Sequence, residues 1–175
     1  MDMRRVALLA AVVVLISVPA LAQKAAPKFS STYTSLGAGC KVLKGHNGSD
    51  DAKVCAGPVG YQVRVFSSAT MTHINAEAKG SDSSFIVASV SLGFNESKSK
   101  IEWRMANGKP FAVILRVPKY KEQGNDGMLG DAIGEELVVV GLKGFENLNT
   151  AVDARSPGAN ALAREAADSA YLSRK

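Results

Sequence analysis

The sequence predicts an α+β protein: an antiparallel β-sheet of about five to seven strands, a C-terminal helix packed on one face, and one disulfide. Three features point to it. Several segments alternate apolar and polar residues with a period of two, as strands do when one face is buried and the other solvated. Asn107-Gly108 lies between two such segments, where a tight hairpin turn needs residues that accept positive φ. Beyond Ser156 the period changes, and Ala159, Leu162, Ala163, Ala166, Ala167, Ala170 and Tyr171 recur at helical spacing.

At the N-terminus, Arg4 and Arg5 precede an apolar run from Val6 to Val18 broken only by Ser17, and Ala20-Leu21-Ala22 fits a small-residue cleavage site. Residues 1–22 therefore read as a signal peptide cut after Ala22. The run is shorter than the roughly 20 residues that span a bilayer, and no cysteine stands at the cleavage point. The mature chain is expected to be periplasmic or secreted, with no stable membrane anchor. Removing 22 of 175 residues leaves 153, enough for a single domain, placed at 33–175. Residues 23–32, QKAAPKFSST, read as a flexible leader whose first anchor is Phe29 or Tyr33.

Cys40 and Cys55 enclose fourteen residues rich in Gly, Asn, Asp and Lys, which bury too little apolar surface to order themselves. In an exported chain two such cysteines are expected to be bonded. Closing a loop of this size constrains the unfolded chain by roughly 3 kcal/mol. The rival reading is a metal site built from Cys40, His46, Asp50, Asp51 and Cys55, but the spacing fits no zinc pattern. Directly afterwards, Gly57, Pro58 and Gly60 form a turn that launches a strand at Tyr61.

Tyr61, Val63 and Val65 alternate with Gln62 and Arg64, and Thr70 to Ala76 is a weaker strand. In Phe85 to Leu92 the apolar face is expected to be Ile86, Ala88, Val90 and Leu92. Ile101, Trp103 and Met105 alternate with Glu102 and Arg104, ahead of Asn107-Gly108 and the apolar run Phe111 to Val117. A plain two-residue turn pairs Trp103 with Ala112. A one-residue bulge instead sets Trp103 with Phe111 and Val113, which gathers the bulky side chains on one surface and is the preferred register. Residues 121–136, with four glycines and five acidic residues, read as a long exposed connection. Met128 and Leu129 stand where a calcium loop needs oxygen ligands. Leu137 to Leu142 is the last expected strand, covered on both faces.

From Glu146 the character turns helical. Ser156 is the expected cap, Pro157 suits the first turn, and the helix spans about Pro157 to Leu172. Its small seam, centred on Ala163 and Ala167, allows close approach to a sheet, with a partner-binding helix as the alternative. Its polar face carries Asn160, Arg164, Glu165 and Asp168, with Arg164 and Asp168 four residues apart.

Both ends of the mature chain resemble a family of small exported proteins of Gram-negative bacteria with no assigned function. The likeness rests on Ser31-Thr32-Tyr33-Thr34-Ser35-Leu36 with Cys40, and on Cys55-Ala56-Gly57-Pro58-Val59-Gly60-Tyr61. At the other end it rests on Val152-Asp153-Ala154, Pro157, Ala159-Asn160, Ala163-Arg164 and Ala167-Asp168. The resemblance implies a periplasmic location and supplies no catalytic residues. Those proteins often carry further cysteines around the terminal helix. This chain has none there.

The formal charge of +5 falls to +4 without the signal peptide, because Arg4, Arg5 and Asp2 together contribute +1. The basic residues are scattered, so no nucleic-acid partner is expected. Lys98, Lys100, Arg104, Lys109, Lys119 and Lys121 read as a solvated rim. Catalytic candidates are few: His46 lies in the cysteine loop and His73 in a strand, where a structural role is the simpler one. No nucleophile elbow, phosphate loop or dinucleotide fingerprint occurs, and no cofactor or metal is expected. What remains is a non-enzymatic binding module for an envelope component or small ligand. The alternative is an inhibitor or interaction protein acting on another exported protein.

Overall fold

The computed structural model describes residues 25–45, 51–121 and 129–174. The expected signal peptide lies outside the described residues, as do His46 and Asp50. Two antiparallel sheets of five strands each, and one helix, make up the fold. The first sheet has the order β1 (Phe29–Ser35), β7 (Lys100–Ala106), β8 (Lys109–Tyr120), β9 (Ala132–Gly141) and β10 (Asn149–Asp153). The second runs β2 (Lys41–Leu43), β3 (Ala52–Ala56), β4 (Tyr61–Ser67), β5 (Met71–Ala78) and β6 (Ser84–Ser91). The helix α1 (Ala159–Ser173) lies against the first sheet. The α+β class, the antiparallel pairing and the C-terminal helix are as the sequence predicts, but the strands expected in one sheet divide between two. The second sheet covers the first sheet's other face, and among the described residues no helix is long and apolar enough to cross a membrane.

The layers follow from the period-two pattern. Ile101, Trp103, Met105, Val113, Leu115 and Val117 of the first sheet meet Val63, Val65, Ile74, Ala76, Val87 and Val90 of the second in one core. Phe111, Ala112, Ile114, Leu137 and Val139 face the other way and meet Ala159, Ala163 and Ala167 of α1. Strand β8 is thus buried on both faces, and so is the apolar part of β9. A continuous apolar run suits only such a position.

Two registers depend on bulges. The expected apolar face of β6 is wrong in its first half, where Ile86 is exposed and Val87 buried, and Leu92 falls past the end of the strand and is exposed too. Ile74 pairs with Ala88 and Asn75 with Ile86, so Val87 is the extra residue, and it reverses the alternation. The Asn107-Gly108 turn has positive φ at both residues, 51° and 78°, the geometry of a type I′ hairpin. A bulge does follow, and Trp103 pairs with Val113. However, Met105 pairs with Pro110 and Arg104 with Ala112, so Phe111 is itself the bulged residue. It turns to the helix side instead of joining Trp103.

Cys40 and Cys55 are bonded to each other, which removes the thiolates that a metal site would need. Six of the fourteen residues they enclose pair as two short strands, Lys41 to Leu43 against Ala52 to Val54. Asp51, another of the ligands considered, accepts from Lys44 Nζ and the Gly45 amide. In the turn that follows, Tyr61 N donates to Pro58 O and Gly60 has φ 79°. Gly57 is needed for space: a Cβ there would stand 2.8 Å from Trp103 Cζ2. Trp103 is fully buried, lies 5.7 Å from the Tyr61 ring, and donates through Nε1 to Thr34 Oγ1. Thr34 in turn donates to Ala56 O, linking the two sheets beside the disulfide.

The remaining differences lie near the ends of the chain. The leader expected over 23–32 is shorter, because β1 begins at Phe29 and pairs along its whole length with β7. Phe29 is the anchor, 6.0 Å from Phe111 and 5.5 Å from Tyr171, while Tyr33 is 54% exposed. Lys28 N donates to Asn107 Oδ1 and Asn107 N to Lys28 O, so the hairpin tip holds the entry to β1. The connection expected over 121–136 ends sooner, since β9 starts at Ala132 and ladder pairing carries the chain there. Beyond β9, β10 is a further strand in the stretch read as the approach to the helix. The turn between them requires Gly141, where a Cβ would lie 1.8 Å from Phe145 O. The helix starts later than expected. Its cap is Gly158 at φ 71°, with no side-chain cap bond from Ser156. Ala163 and Ala167 are fully buried as predicted, but Leu162 is 43% exposed and lies off the seam.

Candidate functional site

Along β7 the outer face of the first sheet carries charges, where the inner face is apolar. Along β7, Glu102 and Arg104 point to the helix, because Ile101, Trp103 and Met105 take the inner side. Arg164 donates to Glu102 through Nε and Nη2 at 2.7 and 3.1 Å. Arg104 donates to Asp168 through Nε and Nη2 at 2.7 and 2.5 Å. Arg164 and Asp168 therefore do not pair with each other along the helix, as their spacing allowed, but each reaches across to the strand. The pitches match: two strand residues advance about 6.6 Å and four helix residues about 6.0 Å. A slip of one helical turn would set Asp168 against Glu102, or Arg164 against Arg104. The alternating signs thus fix the register of α1 on a seam whose alanines alone would let it slide.

Ser31 Oγ also donates to Glu102, and Arg104 Nη1 donates to Ser31. Burial works to raise the Glu102 carboxyl, but the hydrogen bonds from Arg164 and Ser31 outweigh it and hold the group below the ordinary glutamate range. The Arg164 guanidinium is raised in turn by its bond to Glu102. Its Nη2 also donates to the hydroxyl of Tyr33 at 3.1 Å. Ser31, Glu102, Arg164 and Tyr33 form one chain of contacts, rooted in the buried carboxylate and ending on an exposed ring.

That chain ends in a cleft of about 640 Å³ at the N-terminal end of α1. Tyr33, Asn160 and Arg164 form one side, the connection from Gly93 to Ser99 the other, and Ile114 and Leu137 contribute to the floor. Four basic side chains line it, Lys98, Lys100, Arg116 and Arg164, against the carboxylates of Glu102 and Glu135. Glu102 is taken by Arg164 and Glu135 by Arg116, the latter at 3.4 Å. Lys98 and Lys100 have no carboxylate partner among the described residues.

A second cleft, of about 820 Å³, lies at the other end of the helix. It is lined by Lys109, Lys143 and Arg174 together with Phe145, Tyr171 and Leu172. Arg174 stacks over Phe145 at 4.7 Å. It also stands at the negative end of the helix, where a cation offsets the terminal carbonyls. The rim of basic residues read from the sequence is therefore divided: Lys98 and Lys100 line the first cleft and Lys109 the second. Arg104 is held by Asp168 and Lys121 by Asp131.

His73, the described histidine, is engaged on both ring nitrogens. Nδ1 lies 3.0 Å from Ser89 Oγ and Nε2 3.2 Å from Ser68 Oγ, and the ring stacks on Phe66. Of the other residues singled out in the sequence, Cys40, Cys55, Gly57, Pro58, Gly60, Tyr61 and Trp103 cluster at the sheet-to-sheet link. Asn107 and Gly108 form the hairpin tip, and Ala163 and Ala167 the helix seam. None of these lines the first cleft. The sequence shows Lys98 and Lys100 as a rim and Asn160 and Arg164 as a polar helix face, but does not join them, because Tyr33, Lys100 and Arg164 lie far apart in the chain. One signal was present: Glu-x-Arg on a strand and Arg-x-x-x-Asp on a helix carry opposite signs at matching pitch. No protein family, curated protein or solved structure matches this chain.

Proposed function

We propose that the protein is exported and acts without catalysis, as a binding module that takes an envelope component or small ligand in the cleft at the N-terminal end of α1. Export rests on the signal-like residues 1–22, on the resemblance to small periplasmic proteins, and on a cysteine pair suited to an oxidising compartment. The binding reading rests on one observation: the exposed Tyr33 ring is held by Arg164, which Glu102 fixes from behind. A platform ordered before the ligand arrives loses less entropy on binding. Catalysis has little support at the same place, because Glu102 is held ionised in a bidentate pair and makes a poor proton donor near neutral pH.

The test is an NMR titration of the mature protein with soluble envelope extract. Amide shifts should cluster at 93–100 and 159–164 and vanish in Tyr33→Ala. Shifts confined to other surfaces would overturn the reading. The inhibitor alternative has its own supporting feature, the Pro58-Val59-Gly60 turn, where Val59 is 82% exposed and the disulfide and Trp103 stand behind. If that turn is the contact, Val59→Asp should abolish capture of an exported partner and leave the cleft shifts unchanged.

A further inference from the structure

We infer that the ligand of this cleft is an acidic saccharide, a sugar chain carrying carboxylate or phosphate groups; the inference rests on the binding reading above and narrows it. Charge is the first reason. Four cations face two carboxylates, and both carboxylates are already occupied by Arg116 and Arg164. Lys98 and Lys100 are left to meet an anion from outside. Each is exposed and sits at the cleft wall, where a lysine acts as a mobile point charge rather than a rigid fork.

The second reason is the ring. Tyr33 is 54% exposed, yet its hydroxyl is tethered by Arg164 at 3.1 Å, so the ring presents a fixed apolar surface beside the cations. The C–H face of a pyranose covers such a ring, whereas free inorganic phosphate has nothing to place there. The third reason is the rim, where Asn160 and the Asn95 side-chain NH2 offer short neutral groups that suit hydroxyls, and Ser99 Oγ, which donates to Asn95 O, can still accept. An acyl chain would gain nothing from them. A cleft of about 640 Å³ has room for two or three sugar units.

The probes are trigalacturonate, the neutral trisaccharide maltotriose, and inorganic phosphate, each titrated into the mature protein and followed by amide shifts at 93–100 and 159–164. Trigalacturonate should bind saturably there, about tenfold more tightly than maltotriose, and lose that advantage as salt rises from 0.05 to 0.5 M. Phosphate should not saturate. The K98A/K100A double variant should lose about tenfold for trigalacturonate and nothing for maltotriose, with an unchanged melting temperature. Equal binding of both trisaccharides would overturn the acidic class and leave the binding module standing. So would silence toward both sugars together with cleft shifts on adding envelope extract. Silence toward the extract as well would overturn both readings.

Discussion

The two faces of the helix-bearing sheet solve the same problem with different chemistry. Its inner face meets the second sheet through large apolar side chains, among them Trp103, Ile101 and Leu115, all nearly or wholly inaccessible. Its outer face meets α1 through Ala159, Ala163 and Ala167, and adds two ion pairs to the strand below. Bulk on the inner face supplies both stability and register, because interdigitated side chains cannot slide past one another. A seam of alanines permits close approach but specifies position weakly. There the charges Glu102, Arg104, Arg164 and Asp168 do the specifying. One of those pairs, Glu102 with Arg164, also holds the Tyr33 hydroxyl at the cleft, so the device that seats the helix also shapes the candidate site.

The comparison is broken most severely from the inner side. Trp103→Ala should cost about 3–5 kcal/mol, read from the urea midpoint, because it leaves a cavity between the sheets and removes the donor to Thr34 Oγ1. Removing the disulfide with Cys40→Ala and Cys55→Ala should come next, at about 2–5 kcal/mol, and expose residues 41–54 to proteases. Intact mature protein should also resist alkylation until reduced. Labelling without reductant would contradict the bond.

On the outer face, Ala163→Leu or Ala167→Leu should overpack the seam and cost about 1–3 kcal/mol, whereas Glu165→Ala should change stability by less than about 0.5 kcal/mol. An unchanged melting temperature for Ala163→Leu would mean that the seam carries no packing and serves a partner instead.

The smallest effect sharpens the comparison through pH. Glu102 lies below the ordinary glutamate range when folded. Its contribution is therefore present above the unfolded-chain value, about 4.3, and is lost as pH falls through the depressed folded value. Glu102→Gln should flatten that acid loss while leaving the inner core untouched. Arg164 is 38% exposed, so solvent screening keeps the gain modest. An acid unfolding profile identical to the parent's would show that the pair seats the helix without stabilising it.

The sequence by itself determined the elements whose signal is local. The hairpin at Asn107-Gly108, the strands at Tyr61 and Phe85, the glycine-proline turn and the alanine seam each follow from residues within one turn or one strand of each other, because period and φ preference act over that range. The disulfide follows from the chain having two cysteines and so one possible pairing. Only the tertiary structure decided what depends on partners distant in the chain. The bulges at Val87 and Phe111 exist because facing strands impose a register that local alternation does not contain. Strand β1 is ordered because Phe29 finds Phe111 and Tyr171, although its own residues are mostly Ser and Thr. β10 was hidden because five residues with one valine carry no period of their own, and only the β9 ladder makes them a strand. The cleft is the extreme case: Tyr33, Lys100, Glu102 and Arg164 acquire a shared chemistry only once β1, β7 and α1 lie side by side. Electrostatic partnership depends on separation in space, and separation along the chain does not determine it.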